Sequence, residues 1–187
     1  SSMSTLEVNT IDSVSGTSTL TLGSTNAGTI ALGSGDVQSN FMYPAFRAYL
    51  NGDQNVSDNT PTKVAISAED FDTNGNFDPS TNYRFTPTVA GKYFVFGQIH
   101  FANSSSEEIH QTIAFIEKNG TELIKNTVDP HNGSKANETA NYLATLVDMN
   151  GSSDYLELWG QIDVGSGTPK YGGGTTKTWF GAYRIGT

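Results

Sequence analysis

The chain has 187 residues, 35% of them hydrophobic, a net charge of −9 and no cysteine. A chain of this size can bury one sizeable core plus a small appendage. The negative charge argues against a nucleic-acid partner, because phosphate backbones need a cationic surface. The lack of cysteine excludes disulfides and thiolate sites. No apolar run approaches the length of a membrane span, so neither a membrane-spanning segment nor a signal peptide is predicted from this sequence.

The first forty residues differ in character from the rest. Ser1 and Ser2 before Met3 are typical of a cloning remnant, so residues 1–3 are interpreted as remnant and start. Residues 4–40 contain short alternating apolar runs separated by Gly, Ser, Thr and Asn. Such runs suit either a flexible linker or a thin β-rich stem in which three copies share a core. Their regular spacing favours the stem, which leaves residues 41–187 as a head.

The head reads as a series of short strands. Twenty glycines and many Ser, Thr and Asn residues favour strands and turns over helices. Asn119-Gly120 between two apolar-patterned runs predicts a type I′ hairpin, because both turn residues need positive φ. We expect Asn150-Gly151 to join a second pair. Strands are predicted at 42–50, 62–66, 92–101, 110–118, 121–128, 141–149, 154–162 and 178–185. This pattern predicts an all-β, antiparallel jelly-roll sandwich.

The segment 92–101 is apolar on both sides of a strand. One side would carry Tyr93 and Val95, and the other Phe94 and Phe96. A sheet with one wet face alternates between apolar and polar residues, and this segment does not. One side should therefore meet the core and the other another subunit. Phe85 and Trp179 are further candidates for core or subunit contact.

The same region resembles a known family. The spacing Phe85-x5-Gly91-x-Tyr93 is similar to the signature of the globular head of complement component one, subcomponent q. Segments 148–159 and 178–185 are similar to later strands of that head, and the resemblance covers about 44–187. Val95 departs from the family's aromatic, and the gap from Phe77 to Phe85 is one residue longer than usual. The resemblance implies the jelly roll of the tumour-necrosis-factor superfamily.

The stem also resembles segments of tail-fibre proteins of marine bacteriophages. Together the two resemblances imply a homotrimeric virion protein of the phage tail that binds a host-surface glycan or protein. It would be assembled in the host cytoplasm and released by lysis. The alternatives are the adhesive head of a bacterial surface or spore filament, and a capsule-degrading tail spike.

Metal binding is the sharpest chemical possibility in the sequence. Asp70-x-Asp72-x-Asn74-Gly75 is typical of the start of a calcium loop, but Thr81 stands where that loop needs Glu. A polar surface loop is the favoured interpretation. In a trimer, His100 or His110 could face the threefold axis and hold an ion, although structural histidines are commoner. No cofactor is predicted, with calcium or another divalent ion as the one open alternative.

Catalysis is not predicted. The chain has no nucleophile elbow, phosphate loop or dinucleotide fingerprint, and nothing distinguishes one acidic pair from another. Binding residues are instead expected on the long loops 51–59, 102–107, 129–138 and 164–176, because binding concentrates on loops held by a rigid scaffold. At least two of these loops should cluster at the tip distal to the stem. The candidates for receptor contact are Tyr171, Asn132, Asn103 and Asp53.

Overall fold

The computed structural model describes residues 42–104, 108–130 and 136–186. The predicted stem lies outside these residues, as do Asn132 and His131. The described residues form thirteen strands and no helix. They therefore contain no helix that is long and apolar enough to cross a membrane. The strands are β1 Ala45–Tyr49, β2 Gln54–Asn55, β3 Thr62–Lys63, β4 Ala68–Asp72, β5 Phe77–Asp78, β6 Arg84–Phe85, β7 Gly91–Ala102, β8 Ile109–Lys118, β9 Thr121–Val128, β10 Glu138–Met149, β11 Leu156–Val164, β12 Lys170–Tyr171 and β13 Trp179–Gly186. The predicted all-β class is confirmed.

Two antiparallel sheets face each other. The front sheet is organised around β7, which pairs with β10 on one edge and with β13 and β12 on the other. Strands β1 and β4 extend it beyond β13, and β2 pairs with β12. The back sheet has the order β5-β6-β11-β8-β9, with β3 also paired to β11. The predicted hairpin joins β8 to β9 there, with φ of 54° at Asn119 and 77° at Gly120.

The predicted pairing of 141–149 with 154–162 is wrong. Strand β10 pairs with β7 in the front sheet, whereas β11 pairs with β8 in the back sheet. Asn150 shapes the connection, since its Oδ1 accepts hydrogen bonds from the backbone N–H groups of Ser152, Ser153 and Asp154. Both strands have a buried apolar side that faces the shared core. The chain therefore crosses between the sheets at this point.

The core lies between the sheets. Tyr93, Val95 and Phe85 are completely buried in it. Of the candidates for core or subunit contact, these three are therefore core residues. Phe46 stacks on Phe85, with ring centroids 4.4 Å apart. Burying one such side chain contributes about 1.5–3 kcal/mol by transfer from water.

The head has two distinguishable ends. Strands β1 and β7 run in the same direction, because both are antiparallel to β13. Met42, before β1, and Gly186, opposite Lys92, lie at the end where β7 begins, which we call the near end. The far end is where β7 stops, at Ala102.

The long loops meet at the far end. The backbone N–H of Asn103 donates to the Asn137 carbonyl at 2.9 Å, and that of Val56 donates to the Pro169 carbonyl at 3.1 Å. The backbone N–H of Gly165 donates to the Glu108 carbonyl at 3.4 Å. Described residues of the long loops thus lie together at one end of the head, whereas the predicted position of that end relative to the stem stays a prediction.

Candidate functional site

A group of five aromatic rings in contact with one another lies on the outward side of the front sheet. We call this surface the aromatic face; it consists of Phe94, Phe96, Tyr142, Trp179 and Tyr183. The strand register places them together, because Gly181 and Ala144 lie directly opposite Phe96 while Tyr183 and Leu146 lie opposite Phe94. The sequence left open which side of 92–101 faces outward. The complete burial of Tyr93 and Val95 in the core shows that it is the Phe94 and Phe96 side.

The rings of the aromatic face contact one another. Phe94 lies 5.5 Å from Tyr183 between ring centroids, and Trp179 lies 5.9 Å from both Phe96 and Tyr142. Tyr142 nevertheless remains 50% exposed, and the neighbouring Leu146 is 58% exposed. Contiguous apolar surface of this kind marks a site of interaction with another molecule.

A single guanidinium group borders the described part of this face. Arg47 lies over the Trp179 ring, with 5.5 Å between its Cζ and the ring centroid. Its Nη2 donates to the Thr175 carbonyl at 2.7 Å, and the same side chain forms an ion pair with Asp70. Arg47 thereby connects the aromatic face to the segment that leads into β13.

A polar cleft opens at the far end, where β7, β10 and β12 meet. It has a volume of about 350 Å³ and is lined mainly by Asn55, Asn103, Asn137, Glu138, Thr168 and Lys170. Lys170 Nζ lies 2.6 Å from Asp53 Oδ2. This hydrogen bond, together with one from the backbone N–H of Gly173, lowers the pKa of Asp53.

Two residues predicted to contact a receptor are buried in the structure. Tyr171 is completely buried, edge-on to Phe101, and its hydroxyl donates to the Thr62 carbonyl at 3.2 Å. It is buried because β12 pairs with both β7 and β2, and burial raises the pKa of its hydroxyl. Asn103 is only 6% exposed, and its Nδ2 donates to the Ser166 carbonyl at 2.9 Å.

The other two receptor candidates differ in position. Asp53 lies at the far end and half of its side chain is exposed beside Lys170. Asn132 is outside the described residues.

The acidic loop after β4 is organised by its own hydrogen bonds. Asp72 accepts the backbone N–H groups of Asn74 and Phe77, at 3.2 and 2.7 Å. Asp70 faces Arg47 instead, and Asn74 Oδ1 accepts from the Thr73 hydroxyl. In the part of the chain that the structure describes, no three His, Asp or Glu side chains are grouped to hold an ion.

The two histidines proposed for a threefold axis lie on different sheets. His100 is on the outward side of β7, with its Nε2 3.6 Å from Glu138 Oε2. Its Nδ1 is buried and has no hydrogen-bond partner among the described residues. His110 is on β8 in the back sheet, 3.9 Å from Asp163 between Nδ1 and Oδ1. His100 is therefore the one that lies on the same side of the front sheet as the aromatic face.

Tyr142, Leu146 and Lys170 were not predicted from the sequence as site residues. Tyr142 and Leu146 belong to 141–149, a segment that is apolar on both sides of its strand, as 92–101 is. That pattern could have identified both residues. No sequence signal identifies Lys170, because its position depends on the pairing of the short strand β12 with β2 and β7.

Comparison with known proteins identifies the architecture. The sequence matches no protein-family model and no curated protein. Among solved structures, the chain is similar to Eiger TNF from S. frugiperda, with a TM-score of 0.57 and 13% identity over 77% of this chain and 93% of that one. It is also similar to murine APRIL at pH 5.0, with a TM-score of 0.54 and 12% identity over 75% of this chain and 99% of that one. The head is a TNF-like jelly roll.

Proposed function

We propose that the protein is the homotrimeric structural and receptor-binding head of a bacteriophage tail fibre. The aromatic face carries the proposal, because five rings on the outward side of a sheet need cover. A second and third copy of the same chain would supply that cover in a closed, symmetric assembly. The TNF-like jelly roll supports threefold rather than twofold closure, because the superfamily that the head resembles assembles as trimers.

Host contact is assigned to the far end. The far end lies opposite Met42, where the chain enters the head, and it collects the long loops. Three copies multiply weak contacts through effective concentration, so each site need bind only modestly. The similarity of residues 4–40 to phage stems supports the virion setting, with release by lysis. The proposed role is binding rather than catalysis.

The oligomeric state is the first test. Light scattering on the purified chain should give a mass about three times 20.0 kDa. A folded monomer that persists at micromolar concentration would contradict the proposal.

Attachment to host cells is the second test. Because the chain has no cysteine, an introduced thiol is the single site for chemical coupling. Ser57→Cys places one thiol at the far end, and Thr127→Cys places one on the exposed strand β9. Each trimer is coupled to a polyethylene-glycol maleimide and tested for attachment to candidate host bacteria. The polymer at Ser57 should block attachment, while the polymer at Thr127 should leave it intact. Equal attachment of both coupled trimers would contradict a receptor site at the far end.

A further inference from the structure

The far-end cleft has the dimensions of a small-ligand site. Its volume of about 350 Å³ lies within the range of roughly 300–1,000 Å³ that small-molecule pockets occupy. Its base is rigid, because Asn103 Oδ1 accepts the Ser104 N–H while its Nδ2 donates to Ser166. Residues on β2, β10 and β12 therefore surround a preformed opening.

Three further polar side chains line the described part of the cleft. Asn55, Asn137 and Thr168 are exposed, and their side chains form no hydrogen bond with other described residues. Two amides and one hydroxyl offer both donors and acceptors. A ligand that presents alternating donors and acceptors would satisfy all three.

The ammonium group that lines the described part of the cleft is already engaged, and the exposed Glu138 carboxylate adds negative charge. Lys170 is held by Asp53 at 2.6 Å, and Glu138 lies 3.6 Å from His100. An anionic ligand would have to compete with Asp53 for the ammonium group and would approach a protein of net charge −9. No aromatic or large aliphatic side chain lines the described part of the cleft, so it offers little to an apolar peptide.

From these observations we propose that the far-end cleft binds a neutral saccharide through Asn55, Asn137 and Thr168. Hydroxyl groups on a sugar ring act as both donors and acceptors, which matches the free amides and hydroxyl. The inference rests on the proposed function, since it names the class of host ligand that the far end contacts. A single site of this kind has weak affinity, on the order of millimolar, and three sites raise the avidity.

The test uses the intact protein on an array of neutral and sialylated glycans, followed by titration of the neutral sugars that bind. The variant Asn55→Ala/Thr168→Val removes two of the three free groups. The matched control is Asn82→Ala/Thr88→Val, which alters a polar cleft of about 330 Å³ at the near end. We expect neutral glycans to bind the wild type, binding to weaken at least about tenfold in the far-end variant, and the control to match the wild type.

Three results would overturn the inference: binding that survives in the far-end variant, equal loss in the control, or no neutral glycan bound. Cell attachment separates this failure from failure of the proposed function. Attachment that persists and is abolished by protease treatment of the cells would leave a protein receptor at the far end and reject the saccharide. A folded trimer that attaches to no candidate host would reject the proposed function itself.

Discussion

The outward sides of the two sheets differ in their balance of aromatic and charged side chains. The front sheet presents the aromatic face, whereas the back sheet combines one stacked pair of rings, Phe115 and Trp159, with a row of charged side chains. The row occupies matching positions on five neighbouring strands: Asp78, Arg84, Glu157, Glu117 and Glu122. Lys63 pairs with Glu157 at 2.7 Å and Lys125 with Glu122 at 3.2 Å. Glu157 is only 5% exposed, whereas the other four charged side chains of the row are partly or fully accessible and suit a surface in contact with water.

This difference shows that the jelly-roll fold specifies the buried sides of the two sheets but not their outward sides. Both sheets bury one side in the common core, so the core does not distinguish their outward sides. An outward side rich in rings is costly to leave in water, whereas a charged one is soluble. We infer that the contrast reflects the proposed assembly of subunits, which can be tested by changing each side separately.

The largest effect should come from a charge placed on the aromatic face. Phe96 contacts the rings of Phe94, Trp179 and Tyr183. Phe96→Glu would place a carboxylate where we propose that subunits pack, so the trimer should dissociate into folded monomers in light scattering. The control Ile113→Glu, on the outward side of the back sheet, should remain trimeric. If Phe96→Glu stays trimeric with an unchanged melting temperature, the face does not mediate assembly.

A methyl group should disturb the same face without adding charge. A Cβ at Gly181 would lie 2.6 Å from Phe96 Cζ and 3.0 Å from the Phe46 carbonyl oxygen. Gly181→Ala should destabilise the head by about 3 kcal/mol, the upper part of the range for overpacking, because one neighbour is backbone. Thermal unfolding checks this, and Gly52→Ala, where nothing lies within 4 Å, is the control. Equal stability of the two variants would show that Phe96 can move freely.

A buried polar pair should matter next. Asn141 Oδ1 accepts from the Thr112 hydroxyl at 2.8 Å, and its Nδ2 donates to the Asn126 carbonyl at 3.0 Å. These bonds connect β10 of the front sheet with β8 and β9 of the back sheet. Asn141→Ala should cost about 2 kcal/mol, because buried partners lose their hydrogen bonds. Urea unfolding should show that the double variant Asn141→Leu/Thr112→Val recovers part of the lost stability. A double variant no more stable than Asn141→Ala would argue against this hydrogen-bond network.

The smallest effect is expected on the charged side of the back sheet. Burial raises the pKa of Glu117, and the adjacent Glu157 carboxylate raises it further. Because a raised pKa disfavours the ionised form in the folded state, Glu117→Gln should stabilise the protein at neutral pH by a few tenths of a kcal/mol. The gain should vanish at about pH 3, where Glu117 is protonated and is therefore neutral, like the glutamine that replaces it. A melting-temperature gain that is equal at both pH values would exclude this electrostatic cause.

Several features could be predicted from the sequence because their causes are local. Asn119-Gly120 sets a tight turn by its backbone preferences, and β9 has the predicted bounds Thr121–Val128. The segment 92–101 showed that both sides of its strand need cover, since its apolar residues do not alternate with polar ones. These inferences depend on spacing and side-chain chemistry within about ten residues.

The remaining features depend on contacts between distant segments. Only the packing of the front sheet against the back sheet decides that Phe94 and Phe96 face outward while Tyr93 and Val95 face the core. Tyr171 looked like an exposed loop residue, yet two residues of pairing with β2 and β7 bury it. Strand partners and sheet membership are set by long-range pairing, which the local pattern of one strand does not encode.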